Sequence, residues 1–261
     1  MRDVVTASNQ ARRHLERVDW VPRGEVDLGR WPFTIPAVAQ LVHDGGLEVP
    51  AGVSLLVGEN GSGKSSLIEA LAAAYPRPVT SPFARVGGPE PSREDSSLPR
   101  HLRARVHPMA SPYGFFLRAE MMHGYFAGID ADHTQARAWD GQRLQERSHG
   151  ESFLAVLRHR FADVGVYFLD EPEAALSFRS CLGLLALLAQ LREEGSQVVV
   201  ATHSPVLAAL PGATLLEVGD WGLRQVAYDD LELVRDWRGF LDAPQRWLRY
   251  LLEEQPDEPA T

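Results

Sequence analysis

Short apolar runs bounded by glycine and proline dominate the first half of the chain, and longer helical patterns the second. Trp31 to Ile35 and Leu47 to Val49 are runs of this kind and predict strands. Val53-Ser54-Leu55-Leu56-Val57 predicts a clearer one, feeding a glycine-rich turn; from Ser62 the spacing of Leu67, Ile68, Leu71 and Ala74 predicts a helix with one apolar face. Leu102 to His107 and Tyr113 to Leu117 predict two further strands, followed by a mixed helical stretch from Ala119 to about Ile129. Another helix is expected to begin near Glu151. Gly165 to Leu169 predicts a strongly apolar strand that runs into Asp170-Glu171-Pro172, Phe178 to Leu191 an apolar helix packed on both sides, and Val198 to Ala201 another apolar strand. Leu215 to Val218 and Leu223 to Ala227 predict a hairpin, and Leu231 to Leu252 two amphipathic helices broken at Pro244. Residues 1–30 mix charged and polar positions around Trp20 and predict only a loosely packed lead-in.

Alternation of apolar strands with helices predicts an α/β fold, a largely parallel sheet flanked by helices on both faces. With 261 residues and 44% hydrophobic content, one large core is expected in a single domain spanning 1–261, with an inserted arm and helical subdomain at about 75–160 and C-terminal helices with an acidic tail at 229–261. No internal repeat is visible. The longest apolar run, Cys181 to Leu191, is broken by Gly183 and Gln190 and falls short of the roughly 20 residues needed to cross a bilayer. The polar start Met1-Arg2-Asp3 lacks a secretory signal pattern, so a cytoplasmic protein without membrane insertion is expected. Cys181 is the single cysteine, which excludes an internal disulfide and cysteine-rich metal sites.

A net charge of −9 argues against general coating of nucleic acid. Charge is nevertheless segregated: arginines at 77, 85, 93, 100, 103 and 105 crowd a stretch rich in Pro, Ser and Gly, while Glu253 to Glu258 is acidic.

Gly58-Glu59-Asn60-Gly61-Ser62-Gly63-Lys64-Ser65 fits the G-x-x-x-x-G-K-[ST] pattern and lies between a predicted strand and a predicted helix. Glycines at 58, 61 and 63 let the main chain curl so that its N–H groups converge on phosphate oxygens, and the helix N-terminus adds partial positive charge. Lys64 is expected to reach the β- and γ-phosphates of ATP, Ser65 to put its hydroxyl on Mg²⁺, and Ser66 to complete the loop. The acid ending the strand Val166 to Leu169, Asp170, is the candidate second group for the metal, provided its strand neighbours the one before the loop. Glu171 is the candidate base that polarises the attacking water. His203, in Thr202-His203-Ser204-Pro205 at the end of a further apolar strand, is placed to sense the γ-phosphate.

Taken in order, the loop at 58–65, Ser148-His149-Gly150-Glu151-Ser152, Asp170-Glu171-Pro172, Ala175-Leu176-Ser177 and His203 resemble the Walker A, signature, Walker B, D-loop and switch of the ATP-binding cassette (ABC) ATPases. The chain looks most like compact soluble bacterial members catalogued as AAA-family ATPases. The resemblance covers about residues 30–218 and implies a P-loop NTPase of the ABC type with a small antiparallel β part and a helical signature subdomain. It also implies an ATP-induced homodimer in which Ser148 and Gly150 of one copy close over the γ-phosphate held by the other. His149 and Glu151 depart from the usual Leu-Ser-Gly-Gly-Gln signature. Where the family has a metal-sensing glutamine, Glu120 is the candidate, a surface acid being the alternative; Trp31 and Phe33 are candidates for stacking on adenine, with burial in the core as the alternative. The loop's Asn60 resembles the DNA-repair and chromosome-maintenance branch, but residues 74–148 carry no heptads for a coiled-coil arm.

These features predict an ATP-hydrolysing dimer acting as a soluble switch, with a further protein partner open. The alternatives are a non-hydrolysing regulatory subunit, the ATPase of a transporter with a separate membrane partner, and the ATPase of a DNA-processing or antiviral complex contacting nucleic acid through the arginines at 77–105.

Overall fold

A computed structural model describes residues 13–76, 79–80, 96–119 and 149–253. The helical stretch expected from Ala119 to about Ile129, beyond Ala119 itself, and Glu120, Ser148, the arginines at 77, 85 and 93 and most of the acidic tail lie outside the described residues. The core is a seven-stranded sheet built from β3 (Val53–Val57), β4 (Val79–Thr80), β6 (Gly114–Arg118), β7 (Val166–Asp170), β8 (Gln197–Thr202), β9 (Thr214–Gly219) and β10 (Gly222–Gln225). Their order is β10-β9-β3-β8-β7-β6-β4, parallel throughout except for β10, which turns back antiparallel on β9.

The central strands are apolar at nearly every position because both faces are covered. On one face Leu55, Leu169 and Val200 pack with Phe153 and Leu157 of α3 (His149–Arg160) and Leu184 and Leu188 of α4 (Phe178–Glu193). The same core takes in Leu207 of α5 (Pro205–Ala208) and Val234 of α6 (Glu232–Asp242). On the other, Leu56, Phe168 and Val199 pack with Val38 and Leu41 of α1 (Pro36–His43) and Leu67, Ile68 and Leu71 of α2 (Lys64–Ala74). A smaller antiparallel sheet, β2-β1-β5, from β1 (Leu15–Trp20), β2 (Gly46–Glu48) and β5 (Leu102–Val106), closes this second core. Gln197 ties the two sheets together, accepting from the Leu15 N–H at 2.7 Å and donating to the carbonyls of Leu15 and Pro50.

Three expectations change. The lead-in contains β1, whose register shifts between Leu15 and Arg17. That bulge buries Leu15 and Val18, three apart, and erases the alternation that marks a strand. Trp31 to Ile35 forms turns, with the Phe33 N–H on the Arg30 carbonyl and the Ile35 N–H on that of Pro32, before Pro36 opens α1. And α4 is packed on one side only: Cys181, Leu184, Leu188 and Leu191 are buried, whereas Phe178 is 65% exposed and Leu182 46%. The last described elements are α6 and α7 (Pro244–Glu253), with Pro244 in the first turn of the latter.

Candidate functional site

The C-terminal ends of β3, β7 and β8 converge, and the chemistry-bearing residues sit on the loops that leave them. After β3 the loop curls through left-handed glycines, with φ of 84° at Gly61 and 97° at Gly63. A Cβ on Gly58 would stand 2.3 Å from the Val218 carbonyl oxygen, and one on Gly63 the same distance from Ile35 Cγ2, so both positions need a bare Cα. Glu59, Asn60 and Gly61 face solvent. The Ser62 hydroxyl oxygen is buried without a hydrogen-bond partner among the described residues.

Lys64, at the start of α2, is buried and folds back over its own loop: Nζ donates to the carbonyls of Gly58 at 2.9 Å and Glu59 at 2.6 Å. Burial pulls its ammonium below the ordinary lysine range, while the charges of Glu171, Asp170, Glu173 and Glu59 oppose that shift. One residue on, the Ser65 hydroxyl donates to Asp170 Oδ1 at 3.0 Å.

Asp170 therefore meets the loop although β3 and β7 are not neighbours: β8 lies between them, and Ser65 on α2 reaches the end of β7 across it. Its second oxygen, Oδ2, accepts from Arg118 Nε at 3.1 Å, and Arg118 also pairs with Glu69 on α2. Burial pushes the Asp170 carboxyl up, against the hydrogen bond from Ser65 and the charge and hydrogen bond of Arg118. Glu171 has a backbone φ of 48°, the left-handed region, the one such non-glycine residue among the described residues. Its N–H is fixed on the Ala201 carbonyl at 2.9 Å.

The short turn Pro172–Ala175 then carries Glu173 back toward β8, where its Oε1 accepts from Thr202 Oγ1 at 2.5 Å and from the His203 N–H at 2.8 Å. His203 Nδ1 stands 3.6 Å from Glu171 Oε1 and 3.6 Å from Glu173 Oε1. Neither Glu173, Thr202 nor Arg118 stands out in the sequence. What marks Glu173 is its place two residues after Glu171 in a turn that Pro172 starts. What marks Arg118 is its register opposite Asp170 on β6.

Gly150 lies in the first turn of α3, where a Cβ would meet Ser180 Oγ at 2.4 Å; Ser177 caps α4, its side chain accepting from the Ser180 N–H. Phe33 is buried against Trp20 and His101, while Trp31 is 48% exposed and lines a cleft with Arg23, Arg30, Arg100 and His101.

A hydroxyl and a carboxylate set side by side are hard oxygen donors of the kind Mg²⁺ takes. Among the described residues no group of three or more His, Cys, Asp or Glu could hold a metal by itself. A cation here would draw its remaining ligands from phosphates and water, the usual habit of Mg²⁺ in nucleotide sites.

A phosphate loop between a buried parallel strand and a helix, facing an acidic strand end, defines a P-loop nucleoside-triphosphatase domain. Residues 149–209 match the family model described as "AAA domain, putative AbiEii toxin, Type IV TA system". The chain is 34% identical over 181 residues to the hemin import ATP-binding protein HmuV of Streptomyces coelicolor, covering 62% of this chain and 64% of that protein. It is 29% identical over 205 residues to the macrolide export ATP-binding/permease protein MacB of Salmonella typhimurium, covering 69% of this chain but only 30% of the relative's length. Among solved structures, cbiO1 from Clostridium perfringens aligns over 93% of this chain and 100% of that chain at 13% identity with a TM-score of 0.47. The SMC head domain from Thermotoga maritima aligns over 82% and 99% at 14% identity with a TM-score of 0.45. By these matches the chain is similar to ATPase domains of the ABC type.

Proposed function

We propose that the domain binds Mg-ATP on the loop from Gly58 to Ser66, hydrolyses it with Glu171 as the group that polarises water, and works as a dimer that ATP closes and hydrolysis opens. The observation that carries this reading is the hydrogen bond from Ser65 to Asp170 beside a Lys64 that bonds two carbonyls of its own loop. An ammonium so desolvated gains by exchanging two carbonyls for phosphate oxygens, which are charged acceptors. The orphaned Ser62 hydroxyl and the main-chain N–H groups of the curled loop complete the cradle. Bound Mg²⁺ would neutralise charge developing on the β- and γ-phosphates. Ser65 and Asp170 would hold it, Arg118 fixing the second oxygen of Asp170. Glu171, held by its N–H on Ala201, would orient the nucleophilic water. His203 would sense the γ-phosphate.

Ser148 and Gly150 would act on the partner copy's nucleotide, the first turn of α3 giving its N–H groups to phosphate. Phe178 and Leu182, exposed beside Ser177, fit a face that a second copy covers. Among the described residues no helix is long and apolar enough to cross a membrane. A second reading makes the domain the ATP-binding part of a transport system with a separate membrane partner; the names of MacB and HmuV assign those relatives to macrolide export and hemin import. Release of phosphate from Mg-ATP by the purified protein tests the first claim directly. Parent protein that releases none, while Lys64→Ala binds nucleotide as the parent does, would remove the reading.

A further inference from the structure

The acidic turn after β7 carries a carboxylate that the hydrolysis scheme does not use. Glu173 is 93% buried at its side chain, yet its two oxygens are treated unequally. Oε1 accepts from the Thr202 hydroxyl at 2.5 Å and the His203 N–H at 2.8 Å, whereas the buried Oε2 has no hydrogen-bond partner among the described residues. His203 Nδ1 is likewise buried without a hydrogen-bond partner, and it lies at the same 3.6 Å from Glu171 Oε1 and from Glu173 Oε1. A single ring nitrogen thus stands midway between two acceptors, one of which is the proposed base.

We propose that Glu173 is a positioning residue for hydrolysis: it fixes the His203 backbone and competes with Glu171 for the His203 Nδ1–H, so that Glu171 is left free for water. The inference rests on the ATPase reading above. When Nδ1–H bonds Glu171, one oxygen of that carboxylate is spent on the histidine and the base is a poorer acceptor for water. A shift of the ring by under about 1 Å, from 3.6 Å to hydrogen-bond distance, hands the same N–H to Glu173 Oε1 and gives the buried Nδ1 a partner. With Nδ1 committed to a carboxylate, Nε2 is the nitrogen that remains for a phosphate oxygen. Thr202 and the His203 N–H anchor Glu173 against following the ring, which lets it act as a fixed post.

Steady-state hydrolysis of Mg-ATP by the parent, Glu173→Gln, Glu173→Ala and Glu171→Gln tests this. The amide of Glu173→Gln still accepts from Thr202 and His203, and it is a weaker acceptor for Nδ1–H. Its kcat is expected to fall about tenfold with KM and the Kd for a non-hydrolysable ATP analogue within about twofold of the parent, and Glu173→Ala to fall further. A Glu173→Gln kcat equal to the parent's, with Glu171→Gln inactive, overturns the positioning role and leaves the ATPase reading standing; a parent that does not turn over ATP fails that reading instead. Nitrogen-15 NMR of histidine-labelled parent gives a readout that needs no variant to fold: hydrogen is expected on His203 Nδ1 with and without the analogue. A bare Nδ1 in both states overturns the proposal.

Discussion

Ser65 on α2 and Asp170 at the end of β7 are joined by a 3.0 Å hydrogen bond that spans the intervening strand β8. The pair exists because β3, β8 and β7 run parallel in register, Val57 opposite Thr202 and Asp170 opposite Ala201, so all three chains leave the sheet at one level. Replacing Asp170 with Asn keeps an acceptor for Ser65 and removes the charge. Turnover is therefore expected to drop by at least about a hundredfold, and the Mg²⁺ concentration for half-maximal nucleotide binding to rise about tenfold, a change of roughly 1.4 kcal/mol. Titration with Mg²⁺ at fixed ATP analogue measures this; an unchanged midpoint would place the metal elsewhere.

How far this arrangement could be read from the sequence depends on where each signal lives. The strands Val53–Val57 and Val166–Asp170 were legible because a strand buried on both faces is apolar throughout, and the glycine pattern at 58–65 because the curl itself demands glycine. By contrast β1 was hidden by its bulge, and the turns at 31–35 by an apolar composition that Pro32 and Pro36 redirect. Glu173 and Arg118 were illegible for a different reason. Their roles come from partners 30 residues away at His203 and 52 away at Asp170, and contacts at that separation leave no local periodicity.

Glu171, the proposed base, has a backbone that a non-glycine residue rarely adopts. The left-handed region costs an L-residue roughly 1–2 kcal/mol, of which glycine escapes most while forfeiting about 0.5–1 kcal/mol in the unfolded chain. Glu171→Gly is therefore expected to unfold at or up to about 1 kcal/mol above the parent's stability while losing turnover. Glu171→Val, β-branched at the same φ, should be less stable than the parent by about 1–2 kcal/mol. Urea melts of the three proteins decide it. A valine variant as stable as the glycine variant would mean that the turn relaxes freely.

The pH dependence of stability should carry a signature of Glu173. Burial lifts its carboxyl above the ordinary value of 4.5, and the bonds from Thr202 and His203 only partly offset this. The native state then holds more protons than the unfolded chain between the two values. This group's contribution is fully present below the unfolded value and is lost as pH rises through the folded one. Glu173→Gln cannot titrate, so its melting temperature relative to the parent's should climb across that window and level off above it. Thermal melts of nucleotide-free protein from acid to neutral pH measure the difference, and a difference flat with pH would mean that the Glu173 carboxyl is not raised in the folded protein.

Assembly is tested by stopping the reaction after the ligand is bound. In the proposed dimer the first turn of α3 approaches the partner's γ-phosphate, and Gly150, packed so tightly on Ser180 that a Cβ would fall 2.4 Å from its hydroxyl, ties that turn to the cap of α4 at Ser177. The two segments should therefore approach a partner as one unit. Glu171→Gln leaves Lys64, Ser65 and Asp170 intact, so it is expected to bind Mg-ATP about as tightly as the parent and to hold the closed state that hydrolysis would otherwise open. Light scattering should then report twice the single-chain mass with Mg-ATP, and the single-chain mass with Mg-ADP or with Lys64→Ala added. Gly150→Val in the same background should return the protein to single chains without loosening nucleotide on its own loop, because that loop belongs to the other side of the sandwich. A Glu171→Gln protein saturated with Mg-ATP, inactive and still of single-chain mass would show that this domain closes on its nucleotide without a second copy.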